Sequence, residues 1–254
     1  MPWNAGIYNK FKSERAAPFY DLLKLLHPYK GAEVIDLGCG TGELTGELCR
    51  TIPGSVVLGI DSSPEMLAEA SAYECDRLTF KHTTIQEIIR SGNQWDIVFS
   101  NAALQWVDDH RALLPGIISL VKTGGQLAIQ MPSNHNHYTH TAIRQIALRE
   151  PFKSALDGWT RTSPVLTTEE YATLLYNQKG IAINVFEKVF PHVLANADAL
   201  AEWVSGTALV PYMDKLPGTL HNLFMDEYRK TLREKFPARP VFYPFKRIFI
   251  AARF

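Results

Sequence analysis

Three glycines at alternate positions, Gly38, Gly40 and Gly42, close the apolar run Glu33-Val34-Ile35-Asp36-Leu37, and Gly59-Ile60-Asp61 follows about twenty residues later. Glycine lets the backbone turn tightly and approach a ligand, while the helix after the turn offers unpaired N–H groups and its positive end. A right-handed crossover delivers the strand Val56 to Ile60 beside the first, so Asp61 at its tip can accept hydrogen bonds from a ribose diol. The order of strand, turn, helix, strand and acid reads as a cofactor site of nucleotide type. Two cofactor classes fit. A dinucleotide enzyme normally carries G-x-G-x-x-G, whereas G-x-G-x-G suits a smaller nucleoside ligand.

Such a loop needs a sheet to hold it. Strand candidates recur at Glu33 to Leu37, Val56 to Ile60, Leu78 to Lys81, Trp95 to Ser100 and Gln126 to Gln130. Helix candidates fall between them at Thr41 to Arg50, Ser63 to Cys75 and Arg111 to Leu120, with Ser63-Pro64-Glu65 supplying a cap, a helix-compatible proline and an acid. Gly124-Gly125 is expected to end a helix-and-turn segment and release the chain into the fifth strand. Short crossovers between strands imply a mostly parallel α/β sheet of about seven strands with helices on both faces. After Pro132 the pattern changes: residues 139–178 and 196–236 carry helical periodicity, Ile181 to Glu187 reads as a strand, and Arg247 to Ala252 reads as a last, antiparallel strand. The expected organisation is one domain over residues 1–254. Segment 1–30 would cover the cofactor, and 132–178 and 194–240 would form helical lid elements at the strands' carboxyl edge.

Composition narrows the classes further. Over 254 residues, 26 basic and 26 acidic side chains cancel, so nothing global draws the chain to nucleic acid or an anionic membrane. Eight Lys/Arg against three Asp/Glu from His221 onward form a local excess suited to orienting a small anion or simply to a solvated helix face. Cys39, Cys49 and Cys75 lack C-x-x-C spacing and the density of a disulfide scaffold, which points to a reducing compartment. With neither a signal-like leader nor a long apolar span, the expected location is cytoplasmic. His135, His137 and His140 sit at loop-like spacing without accompanying ligands, so no metal is expected.

The stretch Val34-Ile35-Asp36-Leu37-Gly38-Cys39-Gly40-Thr41-Gly42 closely resembles the first motif of class I methyltransferases that use S-adenosylmethionine. Asn4, Tyr8 to Arg15, Gly59 to Ala70, Asn101-Ala102-Ala103-Leu104-Gln105-Trp106, Gln130-Met131-Pro132, Trp203-Val204, Thr207 to Tyr212 and Arg247 to Arg253 together resemble the trans-aconitate methyltransferase family. The resemblance covers nearly the whole chain and implies a Rossmann-like fold with a seven-stranded sheet. It also implies that Gly38, Gly40 and Gly42 hold the aminoacid part of the cofactor, that Asp61 binds the ribose, that Ser62 and Met66 border the adenine, and that Asn101 lies in the cofactor site. Thr84 stands where such enzymes usually have an aspartate on the adenine amine, which predicts altered adenine recognition.

The implied reaction is O-methylation of a small polycarboxylic acid to a monomethyl ester, with S-adenosylhomocysteine as the other product. A carboxylate is ionised at neutral pH, so no general base is demanded and catalysis rests on proximity and alignment. Gln105 and Trp106, after the fourth strand, would orient and wall the transferring group. Arg247 could grip a carboxylate with two parallel hydrogen bonds, assisted by Tyr212, Tyr243 and Asn134; Trp3 and Tyr8, with Phe11, could fold over the site. Packing explains each aromatic equally well. Other readings at this stage are a methyltransferase for another small or carrier-bound acid, a nicotinamide enzyme, and a non-catalytic cofactor-binding module. No nucleic acid, membrane or obligate protein partner is expected.

Overall fold

The computed structural model describes the backbone of residues 12–254 and side chains from Ala16 onward, so the positions assigned to Trp3, Tyr8 and Phe11 lie outside the described residues. The strands are β1 (Glu33–Leu37), β2 (Val56–Asp61), β3 (Leu78–His82), β4 (Trp95–Asn101), β5 (Val121–Pro132), β6 (Ile181–Leu194) and β7 (Val241–Arg253). They form one seven-stranded sheet in the order β3-β2-β1-β4-β5-β7-β6. Strands β1 to β5 pair in parallel, and β7 runs antiparallel to β5 from Gln126↔Arg253 to Pro132↔Arg247. Val34, Ile35, Leu37, Ile97, Val98 and Phe99 are fully buried, the near-continuous apolar runs that a sheet covered on both faces requires. Between β1 and β4 the strand order reverses. Ligands of open α/β sheets bind at that point, beyond the carboxyl ends of the strands.

The chain divides into two compact units. The first comprises Ala16–Pro132, Pro164–Lys188 and Arg247–Phe254. Its helices are α1 (Lys12–Leu23, of which the part from Ala16 belongs here), α2 (Glu43–Thr51), α3 (Pro64–Ala70), α4 (Ile85–Ser91) and α5 (His110–Ile118). Phe19 of α1 meets Phe99 of β4 edge to face at 5.7 Å, so part of the segment expected to cover the cofactor is core. The second unit gathers Ser133–Ser163 and Val189–Lys246, with α6 (Tyr138–Ala147) and α7 (Phe152–Ala155). Helix α8 (Thr168–Asn177) lies instead in the sheet unit, where Tyr171 and Leu175 join the sheet core. The second unit also holds α9 (Ala197–Ser205), α10 (Val210–Lys215) and α11 (Gly218–Lys235). It has its own core of Trp203, Tyr212, Phe224, Tyr228, Tyr243 and Phe245. The Tyr228 hydroxyl donates to the Thr139 carbonyl at 3.0 Å and ties α11 to α6.

Several boundaries differ from the sequence expectation. β5 begins at Val121 rather than Gln126, because the chain re-enters the sheet before the Gly124-Gly125 pair and takes up the excess at a register shift between Trp95 and Ile97. Helix α3 stops at Ala70 and gives way to a 3₁₀ turn, Ser71–Tyr73, because the Ser71 side chain bonds back to the Ala68 carbonyl and competes with the helical ladder. The span 139–178 is three helices joined by an extended stretch, not one helical run. β6 and β7 are longer than expected, reaching Leu194 and starting at Val241. Among the described residues no helix is long and apolar enough to cross a membrane.

Candidate active site

The glycine loop is held before any ligand arrives. The amides of Gly38 and Cys39 both donate to the Ile60 carbonyl at 2.9 Å, fixing the end of β1 to the tip of β2. Asp61 completes the clamp: its Oδ2 accepts from the Gly40 amide at 2.9 Å and its Oδ1 from the Ser63 amide at 2.9 Å. The side chain is half-buried, and each carboxylate oxygen retains acceptor capacity for a diol. Gly38, at φ +80°, is confined by Ala103, whose Cβ would lie 2.2 Å from a Cβ added there. Gly40, at φ +56°, is the opposite case, with nothing within 4 Å of an added Cβ. Space against bare backbone is what a close-approaching ligand needs. Gly42 begins α2 without a side-chain cap, leaving the first amides of that helix for an anion such as an aminoacid carboxylate.

Asp36, which the sequence places in the first strand and in the glycine motif without a role of its own, lies just before this loop. It is 4% exposed, its Oδ2 accepts from the Thr45 hydroxyl at 2.7 Å, and its Oδ1 has no partner. Burial, opposed by that bond and aided by the charge of Asp61, raises its pKa to about 7. An orphaned carboxylate oxygen behind the loop fits the α-ammonium of an aminoacid group. The signal was present, since an acid inside a strand covered on both faces must find a partner. Because the folded-state value exceeds the unfolded one, the ligand-free protein binds the extra proton and loses stability as pH rises from about 4 to about 7. An ammonium ligand reverses that loss by pairing with the ionised form. Affinity for S-adenosylhomocysteine should therefore rise by up to tenfold per pH unit below about 7 and level off above it. Calorimetric titration across that range checks this; a flat profile identical to that of Asp36→Asn would remove Asp36 from the site.

Ser62 is exposed and its carbonyl lies 3.2 Å from a His82 ring nitrogen, while Met66 is half-buried on α3. Thr84 is occupied otherwise. It caps α4: its Oγ1 donates to Glu87 Oε2 at 2.9 Å and accepts from the Glu87 amide at 3.2 Å, while its own amide donates to the same carboxylate at 2.8 Å. This capping box draws the Glu87 carboxyl down to about 2. The Thr84-x-x-Glu87 pattern was legible in the sequence. Thr84→Ala should cost about 1 kcal/mol of stability by denaturant unfolding while leaving S-adenosylhomocysteine affinity within about twofold. A large loss of affinity would restore its adenine role.

At the end of β4, Asn101 is half-buried with an unpartnered Oδ1, and Ala102 takes φ 56°, a left-handed conformation uncommon outside glycine. Gln105 Nε2 donates to the Ala102 carbonyl at 2.6 Å and holds that bend. His110 supports the turn from behind: its Nε2 donates to the Leu104 carbonyl at 2.9 Å, and the Tyr171 hydroxyl donates to its Nδ1. Burial lowers its pKa, favouring the neutral ring this pattern needs. Trp106 stands 46% exposed on the sheet unit. Arg247 lies midway along β7, not at the start of the strand, and is 6% exposed, its Nη1 donating to Gln130 Oε1 at 3.4 Å. Gln130 itself is fully buried with an unpartnered Nε2, a donor the sequence reading did not single out except within a motif.

The second unit keeps its own polar groups in order. Asn134 Nδ2 donates to the Tyr243 hydroxyl at 2.8 Å and its Oδ1 accepts from the Lys246 amide at 3.1 Å, so this buried pair braces the unit's interior. Tyr212, also buried, accepts from the Arg161 amide at 3.0 Å. No group of three potential metal ligands is gathered among the described residues. Burial, then Asp36 and Asp61, push the Cys39 thiol far up, which disfavours the thiolate form.

A doubly wound sheet with this loop and this acid after β2 defines a class I methyltransferase, the group that takes its methyl from S-adenosylmethionine. A methyltransferase domain family matches residues 34–125. The fold is similar to that of the YcgJ protein from Bacillus subtilis, with a TM-score of 0.61 at 14% identity, covering 93% of this chain and 97% of that one. A trans-aconitate 2-methyltransferase of Deinococcus radiodurans is 44% identical over 100% of this chain and 99% of its own length. One from Mycobacterium tuberculosis is 33% identical over 98% and 96%. The chain belongs to the trans-aconitate 2-methyltransferase family.

Proposed function

We propose that this chain methylates a carboxylate of trans-aconitate, or of a closely related small polycarboxylic acid, giving a monomethyl ester and S-adenosylhomocysteine. The observation that carries the reading is the full-length likeness to relatives bearing that name. Bound along Gly38 to Gly42, S-adenosylmethionine supplies a methyl carbon that an ionised carboxylate oxygen attacks opposite the sulfur, forming the ester bond as the carbon–sulfur bond breaks. No proton moves, and His110, the histidine behind the turn after β4, is engaged in holding that turn.

The side chains then have separate duties. Asp61 accepts from the ribose, Asp36 from the ammonium, and Asn101 Oδ1 offers a further acceptor beside them. Gln105 keeps the Ala102 bend in place and Trp106 offers an apolar wall. Arg247, with the unpartnered Gln130 Nε2 next to it, supplies planar and neutral donors for the acceptor carboxylate. Three free cysteines and a neutral net charge support a reducing, cytoplasmic setting. Mass spectrometry after incubation with S-adenosylmethionine and a panel of small acids should show a single added methyl on a di- or tricarboxylate. Methyl transfer only to an amine or a nucleic acid would overturn the assignment.

A further inference from the structure

His110 and Tyr171 stand 61 residues apart in the chain and meet in the core of the sheet unit, 3% and 1% exposed. Their proton order is fixed by their partners. A carbonyl only accepts, so the 2.9 Å bond to the Leu104 carbonyl puts the hydrogen of the neutral His110 ring on Nε2 and leaves Nδ1 bare. The Tyr171 hydroxyl donates to that nitrogen, and its oxygen accepts from the Leu166 amide at 3.2 Å. One relay of donors thus runs from the stretch before α8, through the tyrosine and the histidine, to the turn after β4. The cavity beside the pair measures about 10 Å³, and its other lining side chains, among them Leu113, Ile117, Ile129 and Ile250, are apolar, so no second donor stands ready for Nδ1. The turn in its place reaches the cofactor loop: Ala103 sits so close to Gly38 that a Cβ added there would lie 2.2 Å from its own, and Leu104, Gln105 and Trp106 follow directly as a 3₁₀ turn. Gly38 and Cys39 are anchored separately to the Ile60 carbonyl, so slackening the relay shifts the turn rather than the loop.

We propose that Tyr171 and His110 are positioning residues for methyl transfer: through the Leu104 carbonyl they set the turn that carries Gln105 and Trp106, and protonation of His110 releases it. The inference rests on the proposed reaction, in which that turn bounds the transferring group. A second proton on Nδ1 makes it a donor, so the Tyr171 hydroxyl must turn its own hydrogen elsewhere; the Met131 sulfur, 3.8 Å away, is a weak acceptor for it. Burial lowers the pKa of His110 below the ordinary histidine range, opposed by the Leu104 and Val107 backbone and then by the carboxylates of Asp108 and Asp109 on its own turn. Helix α8 brings Glu170, which is paired with Arg111, while β5 and β7 bring Met131 and Ile250, which do not titrate. The neutral, turn-holding form therefore prevails near neutral pH and is lost as pH falls through the lowered value.

The test is steady-state kinetics of wild type, Tyr171→Phe, His110→Gln and His110→Ala with trans-aconitate at saturating S-adenosylmethionine, from about pH 5 to about pH 8, alongside thermal unfolding and S-adenosylhomocysteine titration. Tyr171→Phe keeps the ring and removes the donor; it should lower kcat about tenfold while KM for the acid and S-adenosylhomocysteine affinity stay within about threefold. Glutamine can still donate an amide N–H to the Leu104 carbonyl but does not titrate. His110→Gln should therefore recover most of the kcat lost in His110→Ala and flatten the fall in kcat that wild type shows on acidification. Protonation of the substrate is common to all four proteins, so the difference between profiles belongs to His110. A merely structural pair would lower the melting temperature and leave kcat and its pH profile as in wild type, which overturns the proposal. If Tyr171→Phe fails to fold, the profile of His110→Gln decides. If the wild type methylates no acid, the proposed reaction is what has failed; hydrogen exchange at the Trp106 and Val107 amides, bonded to the Ala103 and Leu104 carbonyls at 3.0 and 2.9 Å, then still decides. Faster exchange in Tyr171→Phe supports the relay, and equal exchange refutes it.

Discussion

Replacing Asp61 with alanine lowers affinity for S-adenosylhomocysteine by about a hundredfold in a protein that still folds, a loss of about 3 kcal/mol. Two effects combine. The ribose loses an ionised acceptor, and the amides of Gly40 and Ser63, each bonded to Asp61 at 2.9 Å, lose the group that holds the loop in shape. Asp61→Asn separates them, because an amide oxygen keeps one acceptor without charge and should recover part of the loss. Isothermal titration of both variants, with circular dichroism to verify folding, is the measurement. Wild-type affinity in folded Asp61→Ala would show that the carboxylate serves the loop alone or nothing at all.

Arg247→Lys should lower kcat/KM for the acid about thirtyfold, corresponding to about 2 kcal/mol, while S-adenosylhomocysteine affinity stays within about twofold. Lysine keeps the charge but not the fork, and it cannot reproduce the guanidinium bond to Gln130 Oε1 in the same geometry. The residue is 6% exposed, so the shorter reach of lysine also leaves a void beside β7. A thermal melt distinguishes loss of packing from loss of grip. Wild-type efficiency toward the acid at limiting concentration would return Arg247 to a purely structural role.

The glycine loop, the strand before it and the acid after β2 were legible because their signals are local: alternation of glycines, an apolar run and a fixed offset. The end of β4 was legible for the same reason, with Gln105 found but its partner, the Ala102 carbonyl, not foreseen. What the sequence hid was mostly long-range. Nothing in the neighbourhood of Asn134 announces that its amide bonds Tyr243, 109 residues away. Periodicity marks residues 168–177 as helical but does not say that the sheet core receives Tyr171 and Leu175. Thr84 differs from these. Its capping box is readable in four residues, Thr84 to Glu87.

The position of β7 has a consequence for synthesis. It is later in the chain than every other strand, yet it lies between β5 and β6 in the sheet. As the polypeptide leaves the ribosome, the edge of β5 from Gln126 to Pro132 has no partner until Arg247 to Arg253 emerge, more than a hundred residues behind it. That edge includes Leu127, Ala128, Ile129 and Met131, an apolar row whose open amides and carbonyls invite pairing with other chains. The pairing that closes this edge is therefore the last to become available, and until then the row is open to pairing with other chains.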